Sequence, residues 1–215
     1  MGGANRTQSK TGMKNYIVWD IETTGLQKET AEIIEIGVMH IKDGKVEQEK
    51  SWLLNHDIEI KKITNDITGI TKEMIDKDGE DPKKVLKEFM EILTSERHNL
   101  THNGFKFDIP WLLYHLEKHL GYNQEQLNVT NAHLLTGMID TAVIVKGRKM
   151  EEIMRASEEI RHYAYRIMSR PVKGIKYNLA LCCDEMGIKV ENQHRALADV
   201  KMTNEIYKKL TKELK

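Results

Sequence analysis

The sequence predicts a single mixed α/β domain in which a three-stranded meander is followed by helices that alternate with short strands. Residues 14–20 are rich in β-forming side chains. Two further strand-like segments, 33–41 and 45–54, flank Asp43-Gly44, a dipeptide typical of hairpin turns. Helical periodicity dominates the remainder. The sequence has no internal repeat and no low-complexity linker, which favours one domain.

The middle of the chain alternates between helix and strand. Asp81 followed by Pro82 is a favourable N-cap and first-turn pair, and apolar residues recur after it at helical spacing. We therefore expect helices at 71–76 and 82–97, a strand at 98–102, and a helix from Ile109 to Leu120 that ends at Gly121.

The C-terminal third begins with a second short strand near Met138. An apolar stripe that ends before Pro171 predicts a long helical segment, which we interpret as a helical insertion around 148–170. Two more helices are expected, one at about 177–186 and one from His194 or Arg195 to the C-terminus. The stripe consists of Met150, Ile153, Met154, Ile160, Tyr163, Ala164 and Ile167.

Charge and composition exclude some classes of protein. The 33 basic and 33 acidic residues cancel, so net charge gives no argument for nucleic-acid binding, although 146–176 holds nine basic against four acidic residues. No apolar run approaches the roughly 18 residues of a membrane helix. Residues 1–13 are interpreted as a flexible tail without the apolar run of a signal peptide, which leaves 14–215 for the domain. The only two cysteines are adjacent and favour a reducing, cytoplasmic compartment.

The first strand ends in two carboxylates. Residues two apart on a strand point to the same face, so Asp20 and Glu22 project side by side while Ile21 faces the core. Crowded carboxylates repel unless a cation lies between them, and hard oxygen ligands suit Mg²⁺ or Mn²⁺. An isolated pair of this kind is more often two solvated acids at a strand end.

Two further motifs place acidic residues near helix starts. Asp108 follows the 98–102 strand through a glycine turn, where helix capping would explain it equally well. His194 lies in the loop before the last helix and Asp199 about one turn inside it, so both can reach the same side. Each motif alone is compatible with ordinary capping.

Together, and in this order, the motifs resemble those of the DEDDh 3′→5′ exonucleases, the DnaQ-like family of the DNA polymerase III epsilon subunit and RNase T. The resemblance covers about residues 14–210 and includes the five-residue spacing from histidine to aspartate that marks the histidine branch. Three further segments also resemble the family: Ile34-Glu35-Ile36-Gly37, Thr68-Gly69-Ile70-Thr71 and Ile139-Asp140-Thr141. The matching motifs are Asp20-x-Glu22-Thr23-Thr24-Gly25-Leu26, His102-Asn103 with Phe107-Asp108, and His194-x-Ala196-Leu197-x-Asp199.

The resemblance implies an RNase H-like fold, a central mixed five-stranded sheet flanked by helices. It also implies hydrolysis of phosphodiester bonds from a 3′ end, releasing nucleoside monophosphates with the help of two divalent cations, Mg²⁺ or Mn²⁺. His194 would be the general base that takes the proton from the attacking water, since an imidazole is suited to this role near neutral pH. The implied metal ligands are Asp20, Glu22, Asp108 and Asp199.

The resemblance also suggests substrate contacts. Thr23 is a candidate for the terminal 3′-hydroxyl, and Asn103 for the scissile phosphate. Leu26 would wedge against the terminal bases, with a place in the core as the alternative. The segment 161–166 interleaves basic and aromatic residues, as single-strand binding surfaces do, so we hypothesise that the 148–170 insertion borders the substrate groove. The alternative is a solvated helix.

We expect the partner to be the 3′ end of a nucleic acid, as a single strand or a frayed duplex, with DNA favoured in proofreading or repair. A DNA polymerase is a further candidate partner. An exoribonuclease that trims RNA is the first alternative. A catalytically silent nucleic-acid-binding or polymerase-docking module is the second, and the presence of all five motif residues argues against it.

Overall fold

The computed structural model describes residues 12–190 and 192–212. Most of the predicted tail, 1–13, lies outside the described residues. Its last residue, Met13, is held to the domain because its backbone N–H donates to the Tyr207 hydroxyl at 3.0 Å. Among the described helices, none combines the length and the apolar character needed to cross a membrane.

Five strands form one mixed sheet in the order β3-β2-β1-β4-β5. The first three make an antiparallel meander, and β4 and β5 join it in parallel to β1. The predicted five-stranded mixed sheet is therefore confirmed. The strands are β1 (Tyr16–Thr23), β2 (Ile33–Lys42), β3 (Lys45–Leu53), β4 (Asn99–Thr101) and β5 (Met138–Asp140).

Helices flank the sheet, and most of them follow the predicted boundaries closely. Asp81 caps its helix as expected, accepting from the Lys84 backbone N–H, and Gly121 ends another with a φ of 69°. The described helices are α1 (Lys62–Thr68), α2 (Lys72–Asp78), α3 (Pro82–Leu93), α4 (Asp108–Leu120), α5 (Gln124–Gly137), α6 (Thr141–Lys149), α7 (Ile160–Met168), α8 (Leu179–Glu185) and α9 (Ala196–Lys212).

The long helix expected across 150–167 does not form. Helix α6 ends at Lys149, since Glu151 adopts a φ of 56° and the Glu152 N–H bonds back to the Gly147 carbonyl at 2.9 Å, as in a Schellman motif. The stripe therefore splits: Met150 at the end of α6 and the part carried by α7 pack on the core, whereas Ile153, at 81% exposure, faces solvent. The apolar periodicity continues across the turn that separates α6 from α7, so it predicts one helix where two form.

Two helices, α1 and α5, are additional to those predicted. Helix α5 buries only Leu134 and Gly137, so it has no apolar stripe for periodicity to detect. Its sequence signal is the capping box of Asn123 and Gln126, whose side chains and backbone N–H groups bond reciprocally at 2.9 Å.

The two faces of β1 bury different partners. Ile17, Trp19 and Ile21 point to the face covered by α3 and α4, where Trp19 packs against Phe89 with ring centroids 5.5 Å apart. The alternate residues point to the face covered by α9. Strand alternation thus assigns Asp20 and Glu22 to the α9 side of the sheet.

Candidate active site

The seven residues predicted to hold metal or substrate and the predicted general base, His194, all line one cleft of about 700 Å³. They come from β1 and the loop after it, from the turn between β4 and α4, and from the loop and first turn of α9. The sequence motifs, far apart in the chain, therefore converge. The eight are Asp20, Glu22, Thr23, Leu26, Asn103, Asp108, His194 and Asp199.

The carboxylates of β1 extend the row of side chains that contacts α9. The Tyr16 hydroxyl donates to Asn204 Oδ1 at 2.8 Å, and Val18 shares an apolar cluster with Val200 nearer the start of that helix. Asp20 and Glu22 continue the row beyond the N-terminal end of α9. Near the N-terminus of α9 the side chains of this row change from apolar to acidic, and these acids line the cleft.

Asp108 reaches the same place because β4 runs parallel to β1, so the carboxyl ends of both strands meet at one edge of the sheet. It is the first residue of α4 and is 2% exposed. Its Oδ1 accepts the backbone N–H of Ile21 at 3.2 Å. Because Ile21 lies between Asp20 and Glu22 in the sequence, this bond holds the Asp108 carboxylate close to that pair. Asp108 is therefore not the N-cap of α4, the alternative explanation for this residue, because Phe107 occupies the N-cap position.

The start of α9 supplies the remaining predicted groups. Asp199 is buried, and its Oδ1 accepts the backbone N–H of His194 at 3.3 Å. The His194 side chain is exposed to the cleft, on a backbone whose φ of 64° is uncommon outside glycine. Ligand atoms of Glu22, His194 and Asp199 lie within 4.8 Å of one another, a spacing that one metal ion can span.

The electrostatics of the cleft are those of confined negative charge. Burial, followed by repulsion from Asp108, Asp199 and Glu22, raises the pKa of Asp20 well above its usual range. Burial is also the largest cause for the other three acids, and it raises the pKa of Glu22 to about 8. For Asp108 and Asp199 the pKa rises to about 7. Four such acids in one cleft would be stabilised by a divalent cation.

Glu35 is a residue whose role sequence reasoning missed. It is 1% exposed, and its carboxylate accepts from the Arg195 Nε and Nη2 at 3.1 and 2.9 Å, from the Ala196 backbone N–H at 3.0 Å, and from the Ser51 hydroxyl at 2.8 Å. Because Arg195 directly follows His194, these bonds hold the start of α9 against β2. Glu35, Ser51 and Arg195 line a neighbouring cleft of about 820 Å³, and none of the predicted metal ligands lines it.

Gly37 allows this close packing of α9 on β2. A Cβ at this position would lie 2.5 Å from the backbone carbon of Ala196, a distance that requires the helix to move. The motif Ile34-Glu35-Ile36-Gly37 therefore works as a unit, with one residue binding the helix start and another making room for it.

Asp140 is the second missed residue, and it holds the turn that precedes Asp108. Its carboxylate accepts the backbone N–H groups of Asn103 at 2.8 Å and Phe105 at 3.0 Å, while it also caps α6. This bonding fixes Asn103 in the left-handed conformation, φ 70°, at the floor of the turn. The His102 ring lies 2.8 Å from both Thr141 Oγ1 and the Tyr177 carbonyl.

Apolar side chains form an edge of the cleft. Leu26 is 87% exposed, so the alternative of a core position is wrong, and it is joined by the exposed Ile63 and Ile67 of α1. The Thr23 hydroxyl donates to the Gly25 carbonyl at 2.7 Å, which shapes the loop that carries Leu26. Exposed aliphatic groups beside a polar centre are suited to contact nucleobases.

The hypothesis that 148–170 borders this cleft is not supported. None of the described residues that line the cleft belongs to that segment. Arg166 instead binds Glu158 and Glu152 at 2.6 to 2.8 Å, and Arg161 pairs with Glu159 at 2.6 Å. The two arginines of the 161–166 segment are thus paired with acids of the same region.

Comparison with known proteins agrees with this geometry. The family model RNase_T, described as an exonuclease, matches residues 17–207. The chain belongs to this exonuclease family. Its resemblance to DnaQ-like exonucleases and its RNase H-like fold are confirmed, and the chain is a nuclease domain.

The similar curated proteins of this family are much longer than the chain. The PolC-type DNA polymerase III of Thermotoga petrophila is 27% identical over 200 residues, which are 93% of this chain and 12% of the polymerase. That of Clostridium perfringens is 27% identical over 201 residues, 93% of this chain and 11% of its own length. The chain therefore spans about one eighth of the relatives it matches.

Solved structures show the same fold at low identity. Escherichia coli exonuclease I in complex with a dT13 oligonucleotide superimposes with a TM-score of 0.70 at 16% identity, covering 92% of this chain and 41% of that one. A 3′-exonuclease that recognises a histone mRNA stem-loop gives a TM-score of 0.62 at 14% identity, covering 93% and 64%. The exonuclease domain thus shares its fold with one protein in complex with a dT13 oligonucleotide and with another that recognises an mRNA stem-loop.

Proposed function

We propose that this domain is a metal-dependent 3′→5′ exonuclease that shortens DNA from its 3′ end and releases nucleoside monophosphates. The observation that supports the proposal most directly is the convergence of Asp20, Glu22, Asp108 and Asp199 with an exposed His194 in one cleft. Such a cluster of buried, mutually repelling acids is costly to the fold unless it serves a cation.

The donor set fits two divalent cations, Mg²⁺ or Mn²⁺. All four acids offer hard oxygen ligands, which these ions prefer, and burial, as the largest cause, raises the pKa of each of them, so a bound cation would favour their charged forms. When bound, the cations supply neutralisation of charge on the phosphate and a lower pKa for water. We assign Asp20, Glu22, Asp108 and Asp199 as their ligands.

The remaining residues act on water and on the substrate. His194, open to the cleft, takes the proton as a water oxygen bonds to phosphorus and the bond from phosphorus to the leaving 3′-oxygen breaks. Asn103 lines the same cleft as Asp108, and we assign it to the scissile phosphate. Thr23 binds the terminal 3′-hydroxyl, and Leu26 contacts the terminal bases.

The preference for DNA is supported by the relatives, which are DNA polymerases, and by the solved complex of exonuclease I with an oligonucleotide. A polymerase is accordingly the partner we propose, with the 3′ end presented as a single strand or frayed duplex. The domain would act in proofreading or repair. RNA trimming is the second candidate, favoured by the fold shared with the histone mRNA 3′-exonuclease.

One experiment tests direction, metal and sugar together. Single-stranded DNA, matched duplex, mismatched duplex and RNA, each labelled at the 5′ end, are incubated with Mg²⁺, Mn²⁺ or EDTA. We expect a ladder of stepwise shorter products from DNA, absent in EDTA and in Asp20→Ala. Internal cuts would refute the exonuclease assignment, and an RNA-only ladder would refute the DNA preference.

A silent docking module is distinguished by the same experiment. It would bind oligonucleotide without shortening it, and Asp20→Ala would change neither result. His194→Gln tests the proposed base, since it should lower kcat while retaining metal binding measured by calorimetry.

A further inference from the structure

A second cluster of metal-ligating side chains lies at the start of β2, outside the exonuclease cleft. Three imidazoles converge on one oxygen of Glu32. The His119 Nε2, His115 Nε2 and His56 Nδ1 atoms lie 3.0, 3.1 and 3.5 Å from Glu32 Oε2, while the other oxygen pairs with Lys118. Ligand atoms of Glu32, His56 and His119 are within 4.8 Å of one another.

Backbone contacts fix the tautomer of two of these histidines. The His56 Nε2 lies 2.7 Å from the Ile33 carbonyl, so its proton is on Nε2 and a lone pair on Nδ1 faces Glu32. The His115 Nδ1 is likewise 3.0 Å from the Trp111 carbonyl, and its Nε2 accepts the Ile33 N–H at 3.4 Å. A neutral imidazole pinned in this way presents a lone pair, not a proton, to the carboxylate.

Lone pairs aimed at a carboxylate oxygen repel it, and one oxygen cannot accept well from three donors in any case. A cation between the groups converts the repulsion into coordination. The separations fit this, because ligands about 2.0–2.1 Å from a tetrahedral zinc are roughly 3.3 Å apart. A ligand histidine whose other nitrogen binds a backbone carbonyl is also the usual arrangement around protein-bound zinc.

We propose that Glu32, His56 and His119 bind a Zn²⁺ ion, with a water as its fourth ligand. Imidazole ligands favour zinc over Mg²⁺, which prefers oxygen, so this site and the carboxylate cleft select different ions. His115 is not counted as a ligand, because its Nε2 already accepts the Ile33 backbone N–H. The proposal does not depend on the proposed function.

The site would connect three separate parts of the domain. His119 lies on α4, the helix that begins with Asp108, and His56 follows β3. Glu32 pairs with Thr24 through two bonds: its backbone carbonyl accepts the Thr24 N–H at 2.9 Å, and its N–H donates to the Thr24 hydroxyl at 3.0 Å. Thr24 lines the exonuclease cleft, so zinc would anchor the loop that carries Leu26.

The test measures zinc directly. The full chain is loaded with Zn²⁺, dialysed against metal-free buffer and analysed for bound metal by mass spectrometry. We expect about one zinc per chain, retained in Asp20→Ala and lost in His56→Ala/His119→Ala. The matched control is His162→Ala, which removes an exposed histidine of α7. Loss of a group outside the ligands costs about 10–100-fold in affinity, so His119→Ala alone should weaken zinc binding at least about 100-fold.

A second readout needs no variant and therefore does not depend on how the histidine variants fold. Co²⁺ bound to the wild-type chain should give the intense visible absorption of a four-coordinate ion with nitrogen ligands, displaced by Zn²⁺ but not by excess Mg²⁺. Zinc retained equally by the wild type and the double-histidine variant would overturn the site. So would a Co²⁺ spectrum that Mg²⁺ removes, or a wild-type chain without zinc.

Discussion

Replacing Asp108 with asparagine should stabilise the metal-free domain at pH 8. Asp108 is 2% exposed, and burial raises its pKa from 3.8 to about 7. A shift of about three units corresponds to about 4 kcal/mol against the charged form. Asparagine has the same shape, retains an oxygen that can accept the Ile21 N–H, and has no charge. The figure is an upper value because the four carboxylates titrate together.

The sign of the pH dependence follows from the raised pKa. Between about pH 4 and pH 7 the folded chain binds a proton at Asp108 that the unfolded chain has lost. The stabilising contribution is fully present below about pH 4 and disappears as the pH rises through 7. The advantage of Asp108→Asn over wild type should therefore grow by roughly 3 kcal/mol from pH 5 to pH 8.

Urea unfolding in EDTA at pH 5 and pH 8 measures this difference in the free energy of unfolding. The matched control is Asp184→Asn, at an exposed aspartate of α8. EDTA removes zinc from both proteins, so the histidine site cancels in the comparison. Saturating Mg²⁺ at pH 8 should stabilise the wild type more than the variant, which has lost a ligand. If Asp108→Asn is destabilising at pH 8 in EDTA, burial does not disfavour the charged form of Asp108 as argued.

Four further outcomes are expected. Glu35→Gln should lower kcat and cost about 3 kcal/mol in urea unfolding, since it leaves a guanidinium without its buried partner; a lower stability with unchanged kcat would contradict its role in positioning α9. Gly37→Ala should reduce kcat at least about tenfold while circular dichroism stays native, because its Cβ displaces the start of α9; full activity would contradict the steric argument. Leu26→Ala should raise KM for oligonucleotides about threefold or more, whereas Val46→Ala, at an exposed site on β3, should not. Arg166→Ala should lower the melting temperature but leave KM unchanged, and a raised KM would restore the hypothesis of a substrate-binding insertion.

Much of the fold follows from local pattern. The Asp43-Gly44 hairpin, the alternation along β1 and the Asp81 cap were readable because each depends on residues close in sequence. The same locality explains the failures. The turn at Glu151 interrupts a stripe that continues in sequence, and α5 has too few buried residues for periodicity to detect.

By itself the sequence was sufficient to identify the family, from the spacing of Asp20, Glu22, Asp108, His194 and Asp199, and it named the residues to which we assign the chemistry. Only the tertiary structure decided what holds them together. The Glu35 carboxylate beneath α9, the Asp140 carboxylate beneath the Asn103 turn, and the three histidines around Glu32 join residues far apart in the chain. Such contacts depend on how strands and helices pack against one another, and no short sequence pattern encodes them.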